Sequence, residues 1–156
     1  MLGTYQIGAC WCGQSYFVDS DGIARVVSSG GKAVRVWKLA TSPKPALTQV
    51  AISPYLIGGQ DPGFFTSISS NGTVSPIIWA LSRPPNSSAK SPVYLYAFNP
   101  DATTGSTMTQ LFKGVAGVWP NLGGNSNLVP VVANGEVFVA SNKELQIFGL
   151  KAPAKK

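Results

Sequence analysis

The stretches SYFVDSDGIARVVSS (15–29), FFTSISSNGTVSPIIWALSR (64–83) and LVPVVANGEVFVASN (128–142) are three versions of one phrase: a β-like run, an Asp-Gly or Asn-Gly pair, and a second β-like run. The pairs are Asp21-Gly22, Asn71-Gly72 and Asn134-Gly135. Such pairs supply the positive backbone φ that a tight hairpin needs. A further run follows each phrase: AVRVWKLA (33–40), VYLYAFNP (93–100) and ELQIFGL (144–150). The chain is therefore an internal repeat of antiparallel strands.

Laying the copies over one another sets Ala24–Ser28 over Ile78–Ser82 and Val137–Ser141, each ending in Ser. The next run then aligns Val34–Leu39 with Val93–Phe98 and Leu145–Leu150, which puts Trp37, Tyr96 and Phe148 at one shared position. A fourth run follows the first two copies, Leu47–Ile52 and Met108–Phe112, matched through Thr48-Gln49 and Thr109-Gln110. Nothing comparable follows the third. The expectation is an all-β chain of about three four-stranded antiparallel meanders, at 13–53, 59–114 and 124–150, the last lacking its outer strand. Meanders that repeat in this way stack radially as blades of a β-propeller. A sandwich of the same strands is the alternative, but it would not require the same residue type at the same place in each unit.

Composition agrees with a β-rich globular domain. The chain has 156 residues, 44% of them apolar, and its 17 Gly and 12 Pro fall at short intervals between runs of Val, Ile, Tyr, Trp and Phe. The uninterrupted apolar stretches are far shorter than the roughly 20 residues that cross a bilayer, so no membrane-spanning helix is expected. The start, Met1-Leu2-Gly3-Thr4, lacks the charged and apolar regions of a signal peptide. The net charge is +6, but Lys151, Lys155 and Lys156 belong to the closing KAPAKK, which reads as a disordered basic tail (151–156). The other basic residues are scattered singly, with no stripe interleaved with aromatics, so nucleic acid is not an expected partner.

GFFTSISSNG with IIWAL (63–81), VYLYAFNP with TTG (93–105) and LVPVVANGEVFVASNKELQIFGL (128–150) resemble the pyrroloquinoline-quinone-type, quinoprotein-like β-propeller repeats, and specifically their C-terminal blades. The resemblance spans residues 14–150. The blade-locking motif of that family, Ala-x-Asp-x-x-Thr-Gly with a following Trp, is present in altered form: Ala97, Asn99 for the Asp, Thr104-Gly105 after an insertion, and Phe112 where a Trp would stand. A propeller of that family has about eight blades. The resemblance thus implies the C-terminal piece of a longer, periplasmic or secreted protein, with residues 4–10 (TYQIGAC) as the outer strand of a preceding blade. Its partners would be the missing blades of a parent chain or another protein, and open strand edges would allow self-association.

The inventory for catalysis is thin. There is no His, which removes the usual base near neutral pH and the commonest metal ligand. The six carboxylates, Asp19, Asp21, Asp61, Asp101, Glu136 and Glu144, form no motif. Asp19-Ser20-Asp21-Gly22 resembles the start of a calcium loop, but the equivalent turns Ser69–Gly72 and Val132–Gly135 lack its acids, so a hairpin turn accounts for it. Cys10-Trp11-Cys12 reads as structural or free thiols, since the ring closed by such a pair is small. One constellation remains: Gly13-Gln14, Gly59-Gln60 and Gly124-Asn125 stand before the first strand of each copy, where a propeller gathers its loops at the channel mouth. The third such loop adds Trp119, Asn121 and Asn127. Gln14, Gln60, Trp119, Asn121, Asn125 and Asn127 are the ligand-binding candidates, an aromatic platform with amides that suits sugars, quinones or a peptide. The expected function is a non-catalytic scaffold or binding module with no cofactor. The alternative is a fragment of a quinoprotein dehydrogenase for alcohols or sugars, with pyrroloquinoline quinone in the channel against loops like these and the catalytic Asp and calcium ligands on the missing blades.

Overall fold

The computed structural model describes residues 3–56, 63–82, 84, 90–120 and 127–149. Along them run β1 Ser15–Val18, β2 Ala24–Gly30, β3 Ala33–Ala40, β4 Ala46–Ile52, β5 Phe65–Asn71, β6 Val74–Leu81, β7 Pro92–Thr104, β8 Thr107–Val118, β9 Val131–Ala133, β10 Glu136–Ser141 and β11 Glu144–Phe148. The described residues contain no helix, and the chain is all-β. The tail Lys151–Lys156 lies outside the described residues.

Within each copy every strand pairs antiparallel with the next. The chemistry of the turns explains this. Asn134 (φ 52°) and Gly135 (φ 77°) are both left-handed and close Ala133 onto Glu136, as a two-residue hairpin turn requires. At the second turn the centre moves on by one residue. Asn71 is the last rung, opposite Val74, and Gly72 (φ 61°) with Thr73 makes the turn. A register irregularity between Ser69 and Asn71 absorbs the difference, with Ser75 left-handed beside Pro76, which has no N–H to offer a ladder.

The first two meanders join into one eight-stranded sheet, in the order β1-β2-β3-β4-β8-β7-β6-β5, that is nearly closed and barrel-like. One seam is the parallel bridge Ile52 to Thr107, where the Ile52 N–H donates to the Ser106 carbonyl at 2.9 Å. At the other, Gly13 bridges to Phe65, and the Ser15 hydroxyl lies 2.7 Å from the Thr66 carbonyl and 2.8 Å from its hydroxyl. The third copy is a separate three-stranded sheet, β11-β10-β9. Ser67 on β5 donates to the carbonyl of Pro130 just before β9, so the first strands β1, β5 and β9 are linked in series.

Two cores follow from alternation along the strands. Phe17, Val27, Val34 and Val36 of the first meander pack with Ile78, Ala80, Tyr96 and Phe98 of the second. The opposite face of the second meander, with Leu81, Val93 and Leu95, packs with Val137 and Val139 of the terminal sheet. Strand β7 thus buries Tyr96 and Phe98 on one side and Val93 and Leu95 on the other. A hydroxyl latch aids the first junction: Ser29 Oγ donates to the Phe64 carbonyl at 2.9 Å and accepts from the Phe64 N–H at 2.8 Å.

The expected equivalence of the aromatics holds for two of three. Trp37 stands opposite Val26, and Tyr96 opposite Ala80, which are matching rungs. In the third copy the matching residue Val139 stands opposite Gln146, while Phe148 faces Val137, the rung that Phe98 occupies against Ile78. The cause is hairpin length. Ser141 closes directly onto Glu144, whereas Ser28 is followed by the rungs Ser29 to Val34 and Gly30 to Ala33 before its turn. The Thr-Gln match of the fourth strands also slips, since Gln49 pairs with Trp37 but Gln110 with Phe98.

Residues 4–10, expected as an outer strand, belong to neither sheet. They cross the face of the first meander that points away from the second. Tyr5 sits against Trp37 with ring centres 6.1 Å apart, Arg35 donates to the Ile7 carbonyl at 3.1 Å, and the Gly31 N–H donates to the Ala9 carbonyl at 2.8 Å. Gly30 is required there, because a Cβ would collide with the Ile7 carbonyl.

Candidate functional site

Of the six amide and aromatic candidates, Gln60, Asn121 and Asn125 lie outside the described residues. Gln14 is exposed just before β1, its Nε2 3.6 Å from Cys12 Sγ. Asn127 is exposed ahead of β9. Trp119 is half-buried, packed against the second core, with its backbone N–H donating to the Ser91 carbonyl at 2.9 Å. Among the described residues these three side chains share no hydrogen bond, and the Trp119 ring serves packing.

Two of the acids, Asp19 and Asp21, are held by one cation. Arg25 holds Asp19 at 3.0 Å and Asp21 at 2.8 Å, with Arg25 and Asp19 both nearly buried. Asp19 Oδ1 also accepts from the Ser20 N–H at 2.7 Å, and Asp21 Oδ1 from the Ile23 N–H at 2.9 Å. These hydrogen bonds, that from Arg25 foremost, hold the Asp21 carboxyl below its usual value. Asp101, at the far end of β7, is pushed up by partial burial and by the nearby Asp19. The arrangement is an ion-pair cluster at a hairpin turn. Among the described residues no three His, Cys, Asp or Glu side chains are grouped to hold a metal ion.

Cys10 and Cys12 are bonded to one another, with Cα atoms 5.3 Å apart. This small ring lies beside Ser29 and Gly63, at the junction where the chain enters β5. Gly63 is left-handed (φ 96°), and a Cβ there would press on Cys12. The disulfide is thus part of the packing between the first meander and the start of the second.

A concave feature lies elsewhere among the described residues. A cleft of about 690 Å³ opens between the second meander and the terminal sheet. Trp79, Leu111 and Phe112 line one wall and Val132, Val137 and Phe148 the other. Phe112 and Phe148 meet edge to face at 5.8 Å, and the Trp79 Nε1–H is tied to Ser69 Oγ at 2.9 Å. Phe112 is 38% exposed. Asn99 accepts the N–H groups of Asp101 at 2.9 Å and Ala102 at 3.3 Å, which fixes the bend at the end of β7.

The two junctions are packed differently. At the first junction both fourth strands contribute, Ala51 from β4 and Met108 from β8. At the second, β8 contributes Ala116, and the terminal sheet, three-stranded among the described residues, contributes Val137 and Val139. The only sequence signal for the site was that third copy with three runs. No family model, no curated protein and no solved structure matches the chain.

Proposed function

We propose that the chain is a set of consecutive β-propeller blades acting as a non-catalytic scaffold or binding module, the C-terminal part of a longer extracytoplasmic protein. The observation that carries this reading is β7, buried on both faces between two separate cores, as a strand of an internal blade is. The serial contact of β1, β5 and β9 supports it, because the first strands of successive blades lie side by side around a propeller axis. On this reading the barrel-like sheet is two blades face to face, touching along both edges. The Cys10–Cys12 disulfide suits an oxidising compartment. The absence of His and the engagement of Asp19 and Asp21 by Arg25 favour binding over catalysis. The test is dye reduction by the purified chain with pyrroloquinoline quinone, Ca²⁺ and alcohols or aldose sugars. Rates should stay at those of buffer; turnover would overturn the non-catalytic assignment.

A further inference from the structure

Among the described residues no strand covers the outer edge of β11, which runs along the rim of the cleft. In an antiparallel ladder the rungs alternate between hydrogen-bonded and non-hydrogen-bonded pairs. The two-residue turn makes Ser141 and Glu144 a bonded pair, so Gln146 and Phe148 also bond to β10. The N–H and C=O groups of Leu145 and Ile147 therefore point away from β10 to the open edge. Both residues are exposed, at 63% and 56%. Phe148 lines the cleft with Val137; Ile147 and Gly149 also border it, and alternation puts the Gln146 side chain on the same face as Phe148.

We propose that this edge and cleft form a slot for one extended strand of another polypeptide. It runs antiparallel to β11, exchanges backbone hydrogen bonds with Leu145 and Ile147, and sends two apolar side chains, two residues apart, into the cleft that Phe112 and Phe148 line. The template is in the chain itself. The corresponding edges of β3 and β7 are covered antiparallel by β4 and β8, and the cleft is continuous with the packed second core. The residues after β11, GLKAPAKK, carry three lysines and Pro153 and lack the apolar alternation that the slot asks for. This deepens the binding-module reading and rests on it. It asks for pairing with a strand, which sets it apart from capture of a small apolar molecule.

The test uses the full chain and the heptapeptide Lys-Thr-Ile-Thr-Ile-Thr-Lys. Peptide at saturation should slow exchange of the Leu145 and Ile147 amides by about tenfold or more and leave that of Gln146 unchanged. The peptide N-methylated on the edge that would face β11 should not bind, a control that leaves the protein untouched. Ile147→Pro should also abolish binding, because it removes an outward donor while sparing the β10–β11 ladder. Binding that survives N-methylation, or no change at the two amides, overturns the slot. Protection of the same amides that rises with protein concentration alone would assign the edge to a second copy and overturn the heterologous partner. Neither failure involves turnover, so it is separable from failure of the non-catalytic reading.

Discussion

Strand β7 serves two cores, and truncation on either face should have effects confined to that face. Leu95 is fully buried in the core shared with the terminal sheet, and Phe98 is fully buried in the core shared with the first meander. Each truncation removes a buried side chain and leaves a cavity, costing about 2–5 kcal/mol for Leu95→Ala and about 3–5 kcal/mol for Phe98→Ala. Phe98 also loses its stack on Tyr96, with ring centres 6.2 Å apart and planes 11° apart. Against a total stability of about 5–15 kcal/mol, each variant should still fold. Urea denaturation of double-mutant cycles then separates the faces. Leu95→Ala should couple to Val139→Ala, and Phe98→Ala to Val36→Ala, by about 0.5 kcal/mol or more, while the crossed pairs add within about 0.5 kcal/mol. Coupling of Leu95 to Val36 as strong as to Val139 would mean a single continuous core, and the two-sided role of β7 would be refuted.

Arg25→Met should cost about 3 kcal/mol near neutral pH, because it leaves the nearly buried Asp19 without its cation; urea midpoints measure this. The Asp21 carboxyl, held low by Arg25, contributes stability that is present above its unfolded value and lost as pH falls through its folded value. In Arg25→Met, NMR titration should find the Asp21 carboxyl moved upward, and the acid-sensitive part of stability reduced. Asp101 has the opposite sign: its raised folded value means stability is lost as pH rises through that range. Asp101→Asn should therefore raise the melting temperature at pH 7 and leave it nearly unchanged at pH 3, as read by circular dichroism. Ser28→Ala should cost about 1–3 kcal/mol, because the buried Trp37 Nε1–H loses its 2.7 Å acceptor; a loss no larger than that of an exposed control such as Thr48→Ala would refute that role.

The hairpins were legible because their chemistry is local. Asp19–Ile23, Gly72-Thr73 and Asn134-Gly135 carry the residues that tolerate left-handed backbone, and alternation in the flanking runs fixes which side chains are buried. The register of the third copy was less legible, because it depends on how many rungs precede the turn, and two Ser-ended strands look alike whether or not Ser29 and Gly30 follow. Phe148 consequently took the place of Phe98 rather than Tyr96. The cleft was hidden for a different reason: its walls, Trp79, Phe112 and Phe148, belong to different strands and are brought together only by stacking. Trp119 illustrates the converse, since an aromatic beside amides reads as a ligand platform until its neighbours in the core are known.

Because each core lies between one unit and the next, cohesion among the described residues passes from neighbour to neighbour. A load applied at the C-terminus is borne first by the five-residue strand β11, held along one edge, and next by the interface centred on Leu95 and Val139. The terminal sheet can therefore peel away while the eight-stranded sheet stays shut, held at Gly13 to Phe65 and Ile52 to Thr107. The molecule has a weak end and a strong end, and the direction of pulling decides which yields.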